Sequence, residues 1–182
     1  QVTAVIPKSK ELPDNKVLVK WGVDEARVLN NLNINAPSPI QKQYKWTGSL
    51  TPFAHQKTTS AFLTLNRKAF CFNEQGTGKT ASAIWASDFL LDRKIIGRVL
   101  VICPLSIMDS AWRDDLFTFA PHRSVDVAYG SAKQRKEIIA QGAEYVIINY
   151  DGVAIVADEV AKGGFDLIIV DEATHYKNAQ TT

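Results

Sequence analysis

The sequence has few of the residues that build disulfide frameworks or metal centres. Its two cysteines, Cys71 and Cys103, lie in separate apolar runs without C-x-x-C spacing, and its three histidines show no metal-ligand spacing. We therefore expect both thiols to be reduced core residues of an intracellular protein.

An excess of charge of one sign is also missing, as are long apolar runs. The 21 basic and 19 acidic residues leave a net charge of +2, so charge alone does not argue for nucleic-acid binding. No apolar run approaches transmembrane length, and the first residues show no signal-peptide pattern. We expect a soluble intracellular protein without a membrane partner, and 182 residues with 46% hydrophobic content suit one domain with a small appendage.

The most informative segment is a glycine-rich stretch between an apolar run and a helix-forming run. Residues 69–72 predict a strand, residues 73–80 read Asn-Glu-Gln-Gly-Thr-Gly-Lys-Thr, and residues 81–91 favour a helix. Glycines in such a turn let backbone N–H groups face an anion, and the start of a helix adds partial positive charge. The order predicts a phosphate cradle, with a glycine turn that only caps a helix as the alternative.

The side chains of this stretch suit nucleotide chemistry. Lys79 would bring a full charge to the β- and γ-phosphates, and the Thr80 hydroxyl would ligate Mg²⁺. The pattern G-x-x-x-x-G-K-[ST] is missed at its first glycine, where the chain has Asn73. The predicted cradle residues are Gly76, Thr77, Gly78, Lys79 and Thr80.

Two acids follow a second apolar run. Residues 165–170 predict a strand, and Asp171 and Glu172 come directly after it. Beside a phosphate cradle, Asp171 would hold Mg²⁺ and Glu172 would polarise an attacking water. By itself such a pair also fits a helix N-cap, but together the two motifs indicate ATP or GTP hydrolysis.

Helices and strands alternate from residue 50 onward. Helices are predicted over 52–65, 79–93, 110–119, 131–141 and 154–161, and strands over 69–72, 98–103, 124–129, 145–149 and 166–170. Continuous apolar strands between helices imply a mostly parallel sheet covered on both faces, and the right-handed crossover rule makes the fold a doubly wound α/β domain.

The first 48 residues have a different pattern. Strands are predicted over 2–6 and 17–20 and a helix over 24–32, followed by a turn-rich connection. We interpret residues 1–48 as a small α+β accessory segment docked on a main domain of residues 49–182. Tyr44 and Trp46 either stack on a nucleotide base or pack this segment.

Several segments, taken in order, resemble the first RecA-like lobe of the Swi/Snf-like DNA translocase ATPases in helicase superfamily two. The family's loop also lacks the first glycine, so Asn73 is itself similar to the family pattern. The resemblance spans residues 50–178 and rests on Leu50–Gln56, Asn73–Thr80, Val101–Ser106 with Trp112, Val146–Asp151 and Ile169–Asn178.

The resemblance implies a function and residue roles. The lobe would bind ATP and Mg²⁺, with Gln56 reading adenine, Thr80 and Asp171 holding the metal, and Lys79, Asp171 and Glu172 as catalytic residues. In the two-lobed parent, ATP would be hydrolysed to ADP and phosphate while the protein tracks along double-stranded DNA through non-specific backbone contacts near Val101–Ser106.

The sequence departs from the family in two places. The family's histidine after Asp-Glu-Ala is Thr174 here, with His175 one position later, which puts the coupling of hydrolysis to DNA in question. Extra residues between Pro52 and Gln56 leave Gln56 either at adenine or as an ordinary exposed helix residue.

The family's third motif and second lobe, which carries an arginine finger, do not follow. We therefore expect weak nucleotide binding and slow hydrolysis, because such an arginine contributes roughly 10³–10⁵ in rate. In the family, one more strand lies between the cradle strand and the acidic strand. We expect the incomplete sheet to be unstable, to pair with another chain or a second copy, or to rearrange locally.

Other functions remain open. A strand-separating helicase or restriction-type translocase of the same superfamily is the near alternative, and a non-catalytic nucleotide-binding or interaction module is the distant one. A small-molecule kinase is disfavoured, since the acid pair suits activation of water. Trp112 is either functional or a core anchor, and Lys133, Arg135 and Lys136 are expected to form a solvated helix face.

Overall fold

The computed structural model describes residues 2–74 and 76–172. The first part of the chain contains three helices and an antiparallel strand pair: α1 (Val2–Val5), β1 (Lys10–Leu12), β2 (Lys16–Leu18), α2 (Val23–Asn31) and α3 (Ile40–Gln43). The prediction of a strand over residues 2–6 is wrong, because Ile6 N–H bonds to the Val2 carbonyl in a helical turn. The β2 and α2 predictions are confirmed within two residues.

The rest of the described chain alternates helices and strands around a parallel sheet. Its elements are α4 (Ala54–Leu65), α5 (Lys79–Asp92), β3 (Val99–Cys103), a 3₁₀ turn (Leu105–Ile107), a π-helical segment (Met108–Arg113), α6 (Asp114–Phe119), β4 (Val125–Ala128), α7 (Ala132–Ala140), β5 (Tyr145–Asn149), α8 (Tyr150–Ile155), α9 (Ala157–Lys162) and β6 (Leu167–Val170). The strand order is β4-β5-β3-β6, and Val99 of β3 pairs with Tyr145 of β5 on one side and Leu167 of β6 on the other.

Both faces of this sheet are covered, as the apolar strands predict. Every residue of β3 and β5 is buried. Val99, Val101 and Cys103 pack on one face with α5 and the π-helical segment, while Leu100 and Ile102 pack on the other with α7. Because strand side chains alternate between faces, two buried faces require such uninterrupted apolar strands. The doubly wound α/β fold is confirmed.

The segment before α4 packs on the helix that follows the glycine loop. Tyr44 and Trp46 make edge-to-face contacts with Phe89 and Trp85, respectively. Tyr44 is buried, and its hydroxyl donates to Asp88. Tyr44 is therefore a packing residue and is not placed to stack on a nucleotide base, whereas the role of residues 1–48 as a separate unit stays a prediction.

Asp88 is the centre of a buried polar network. Its carboxylate accepts hydrogen bonds from Tyr44, Thr47, His122 and Arg123. Asp88, Asp92 and His122 lie close enough together to hold a metal ion, but the Arg123 guanidinium bonds to both carboxylates. Burial lowers the pKa of Arg123, but its bonds to Asp88 and Glu144 outweigh this and raise it. The cluster is an ion-pair network.

The predicted strand over residues 69–72 is wrong. This segment is irregular, and Phe70 and Phe72 are 77% and 88% exposed, with their rings stacked on each other. A strand needs a neighbour for its backbone groups. Within the described chain the sheet ends at β6, where Ile168 and Val170 are 54% and 39% exposed.

Two helix predictions need smaller corrections. The helix predicted over 110–119 begins earlier, as a 3₁₀ turn and a π-helical segment that lead into α6. The helix predicted over 154–161 is divided into α8 and α9. The solvated face predicted for α7 is wrong for Arg135, which is buried and bonds to the carbonyls of Ala128 and Gly130.

Candidate nucleotide site

The glycine loop leads directly into α5, as predicted. Gly76 and Gly78 have φ angles of 76° and 75°, and Gly78 is the residue that precedes the helix. A side chain is unfavourable at positive φ. A Cβ atom on Gly78 would also lie 2.2 Å from Nε2 of Gln56. Glycine is therefore favoured at position 78 by the left-handed backbone, and a side chain there would also displace the Gln56 amide.

Lys79 closes the loop. Its ammonium donates to the backbone carbonyls of Asn73 at 2.8 Å and Glu74 at 3.0 Å, and the Thr77 hydroxyl donates to the same Glu74 carbonyl at 2.8 Å. An anionic phosphate oxygen would compete well for this ammonium, because charge-assisted hydrogen bonds are stronger than bonds to neutral carbonyls. The loop thus has a positive group and a helix start on the same few residues, which is the requirement for phosphate binding.

The start of α4 lies against this loop. Gln56 accepts a hydrogen bond from the Phe53 backbone at Oε1 and donates to the Thr77 carbonyl from Nε2 at 3.3 Å. His55 Nε2 also reaches the Thr77 carbonyl, at 3.1 Å, and its ring stacks on Phe53. Gln56 is therefore half-buried against the loop, and its contact with adenine stays a prediction. Sequence reasoning missed His55, whose proximity to the loop depends on how α4 packs on α5.

The acid pair lies at the carboxyl end of β6. The Asp171 backbone N–H continues the ladder by donating to the Ile102 carbonyl, at 2.9 Å. Its side chain accepts from the Trp112 indole at Oδ2 and from the Glu172 backbone N–H at Oδ1, both at 2.9 Å. Glu172 is exposed and has a φ angle of 51°, a conformation that is costly for a residue with a side chain.

The buried thiol of Cys103 lies near the two acids at this end of the sheet. Burial, together with the nearby negative charges of Asp171 and Glu172, raises the pKa of the Cys103 thiol to about 12. The expectation of a free core thiol is confirmed for Cys103. Cys71 is also free, but it is half-buried in the irregular segment 69–74 and is not a core residue.

The predicted site residues thus form two groups in the structure. Gln56 and the cradle residues form the first, around the start of α5, and Asp171 with Glu172 forms the second, after β6. A cavity of about 640 Å³ lies elsewhere, at the amino end of β3, where Gly97, Arg123 and Asp166 line it. Ligands of open α/β sheets bind at the carboxyl ends of the strands, so the two groups, and not this cavity, are the candidate site. Thr174 and His175 lie outside the described residues.

Among residues 2–74 and 76–172, no helix combines the length and apolar content needed to cross a bilayer.

The comparisons with known proteins agree on one family for this chain. The model of the SNF2-related domain matches residues 14–182. The putative ATP-dependent helicase/translocase YwqA of Bacillus subtilis is 31% identical over 116 residues, which are 60% of this chain and 12% of that protein. The ISWI chromatin-remodeling complex ATPase of Saccharomyces cerevisiae is 28% identical over 115 residues, 60% of this chain and 10% of that protein. The chain thus spans a small part of the curated relatives it matches.

Solved structures support the fold. The Sulfolobus solfataricus SWI2/SNF2 ATPase core in complex with dsDNA superimposes with a TM-score of 0.65 at 24% identity, over 76% of this chain and 29% of that one. The Sulfolobus solfataricus SWI2/SNF2 ATPase core domain gives a TM-score of 0.52 at 22% identity, over 76% of this chain and 32% of that one. The architecture is that of a RecA-like lobe of such a core.

Proposed function

The chain belongs to the SNF2-related family, and from this premise we propose that it forms the ATP-binding lobe of a motor that moves along double-stranded DNA. The observation that carries the proposal is the glycine loop closed by Lys79 at the start of α5. The acid pair after β6 and the ATP-dependent helicase relatives point in the same direction.

Nucleotide binding would use the groups around α5. Backbone N–H groups of Gly76–Lys79 would face the phosphates, with Lys79 exchanging its two carbonyl partners for phosphate oxygens. Gln56 would turn its amide from the Thr77 carbonyl toward adenine. Its position against Gly78 supports this role.

The donor set fits Mg²⁺. Thr80 offers a hydroxyl in the first turn of α5, and Asp171 offers a carboxylate held at both oxygens by single hydrogen bonds. These are hard oxygen ligands, the class that Mg²⁺ prefers. When bound, the ion would neutralise charge on the β- and γ-phosphate oxygens.

Hydrolysis would depend on Glu172. As an exposed carboxylate beside Asp171, it would accept a hydrogen bond from a water and orient that water in line with the γ-phosphorus. The left-handed backbone at Glu172 supports a functional position, since such conformations cluster at active sites. A second lobe with an arginine finger would complete the site, and without it turnover would be slow.

DNA would contact the exposed surface after β3. Leu105 is 54% exposed, and Ser106 and Ser110 are exposed on the same segment. Hydroxyl and backbone groups there would bind phosphate oxygens of the duplex, which gives affinity that is independent of sequence and weakened by salt.

The open side of β6 is the second proposed contact surface. Its outer backbone groups, which pair with no strand among residues 2–74 and 76–172, and the exposed side chains of Ile168 and Val170 would accept a further strand, from the same polypeptide, another chain or a second copy. In this proposal residues 49–182 form one lobe with an open sheet, to which residues 1–48 are an accessory segment.

Single-turnover hydrolysis of Mg·ATP, with and without duplex DNA, tests the function. We expect slow hydrolysis that Glu172→Gln reduces by at least about 100-fold while leaving ATP affinity intact. Glu137→Gln on the exposed face of α7 is the matched control and should leave the rate unchanged. In the two-lobed parent, DNA-stimulated hydrolysis without displacement of a paired oligonucleotide favours the translocase over a helicase. A Glu172→Gln variant as active as the native chain would contradict the assignment.

A further inference from the structure

Trp112 lies in the hydrophobic core on one face of the sheet. It is 1% exposed and packs with Met108, Leu116 and Ile147. It belongs to the π-helical segment Met108–Arg113, and π-helical turns are rare and often found at functional sites. A buried tryptophan still has one polar atom, the indole N–H, which needs a hydrogen-bond acceptor.

The acceptor of this N–H is Asp171. The distance from Trp112 Nε1 to Asp171 Oδ2 is 2.9 Å, across 59 residues of sequence. A carboxylate acceptor makes this a charge-assisted bond, which is stronger and more directional than a bond to a neutral carbonyl.

Other bonds fix the remaining freedom of Asp171. The Glu172 N–H donates to Oδ1, the Asp171 N–H donates to the Ile102 carbonyl, and the Tyr150 hydroxyl donates to the Asp171 carbonyl. A carboxylate has about four lone-pair sites, so one donor on each oxygen leaves capacity for a metal ligand bond. With the backbone held on both sides, the indole at Oδ2 and the Glu172 N–H at Oδ1 together set the rotation of the carboxylate plane, and the indole is the side-chain donor of the two.

Trp85 shows what a purely structural buried tryptophan does in this chain. It is also 1% exposed, and its indole N–H bonds to the Thr47 backbone carbonyl at 2.9 Å. The two indoles therefore match in burial and in hydrogen-bond length, and they differ in the acceptor.

We propose that Trp112 is a positioning residue of the nucleotide site, which holds the Asp171 carboxylate in the orientation that receives Mg²⁺. This inference rests on the proposed function, because it takes Asp171 as the Mg²⁺ ligand. Trp112 acts through Asp171 and touches neither nucleotide nor metal.

Manganese binding is the direct test. Trp112→Phe removes the N–H and keeps an aromatic ring, and Trp85→Phe is the matched control. Binding of Mn²⁺ to each protein with ADP is measured by electron paramagnetic resonance, and ADP affinity is measured separately in EDTA. Partners that orient metal ligands typically contribute 10- to 100-fold in metal affinity. We expect Trp112→Phe to weaken Mn²⁺ binding by about 10-fold or more, with ADP affinity in EDTA unchanged and Trp85→Phe close to native in both.

Native protein with ¹⁵N-labelled indoles gives a second test that does not depend on a variant folding. Mn²⁺ with ADP, added at low occupancy, should broaden the Trp112 indole N–H signal more strongly than that of Trp85, because the Trp112 indole bonds directly to the proposed ligand Asp171 and paramagnetic broadening falls steeply with distance. An unbroadened Trp112 signal, a Trp112→Phe variant within twofold of native Mn²⁺ affinity, or an equal loss in Trp85→Phe would overturn the inference.

The Lys79→Ala variant separates the two claims. If Lys79→Ala abolishes nucleotide binding but Trp112→Phe leaves Mn²⁺ affinity unchanged, the inference is overturned and the proposed function stands. A folded native chain that does not bind Mn·ADP, or binds it equally well in Lys79→Ala, overturns both.

Discussion

At the scale of single residues, the chemistry of the loop could be read from the sequence, but the contacts that orient it could not. Gly78, Lys79 and Thr80 follow from a local pattern, and the structure places them at the start of α5. His55 and Trp112 reach the site across 22 and 59 residues of sequence. Such contacts depend on packing, which local patterns do not encode.

Gly78 gives a prediction about how closely Gln56 approaches the loop. Gly78→Ala should destabilise the fold by about 1–2 kcal/mol through its left-handed backbone alone, and the Gln56 amide, which would have to move, should also lose its hydrogen bond to the Thr77 carbonyl. Gly142→Ala is the matched control, since its φ is 84° and a Cβ there meets nothing within 4 Å. Urea unfolding of both variants measures the difference.

The effect of Gln56 can be isolated with a second substitution. Gln56→Ala should recover part of the stability lost in Gly78→Ala and none of that lost in Gly142→Ala. Equal destabilisation by the two glycine substitutions would contradict the close approach of Gln56.

At the scale of elements, periodicity predicts β3, β5 and α5 within one residue at each end. All are long apolar runs between clear boundaries, and tertiary packing agrees with the local pattern. Residues 69–72 have a similar apolar pattern and form no strand, because a strand also depends on a neighbour with matching backbone groups. The π-helical segment before α6 was likewise not predictable, since its register is set by the packing of Met108 and Trp112.

The exposed segment gives a prediction of its own. Phe72→Ser should change the free energy of unfolding by less than about 0.5 kcal/mol, because the ring is 88% exposed. Phe89→Ser, at a ring that is 1% exposed, should cost at least about 3 kcal/mol. Chemical denaturation compares them. A loss of several kcal/mol in Phe72→Ser would mean that residues 69–72 form a packed strand in solution.

At the scale of the whole molecule, the parallel order of the sheet and its two covered faces follow from alternating helices and apolar strands. The polar network around Asp88 does not follow from any such sequence pattern. It joins Tyr44 and Thr47, helix α5 and the segment with Arg123 through a single buried carboxylate. No sequence pattern marks it, because its members come from three distant parts of the chain.

Asp88→Asn should destabilise the whole fold by about 3–5 kcal/mol, because it leaves the Arg123 guanidinium, 10% exposed, without its buried counter-ion. Asp92→Asn removes a second partner of Arg123 whose side chain is 49% exposed, and should cost about 1 kcal/mol or less. Thermal unfolding followed by circular dichroism compares the two. Equal effects would show that Asp88 is not the centre of the network.

Calorimetric titration of the native chain with Mg·ATP is the most direct test of the central claim that this lobe binds ATP through its glycine loop. We expect saturable binding with one site that is lost in Lys79→Ala and retained in Lys133→Ala, a lysine on the exposed face of α7. Binding that survives Lys79→Ala, or a folded native chain that binds no Mg·ATP, would contradict the account.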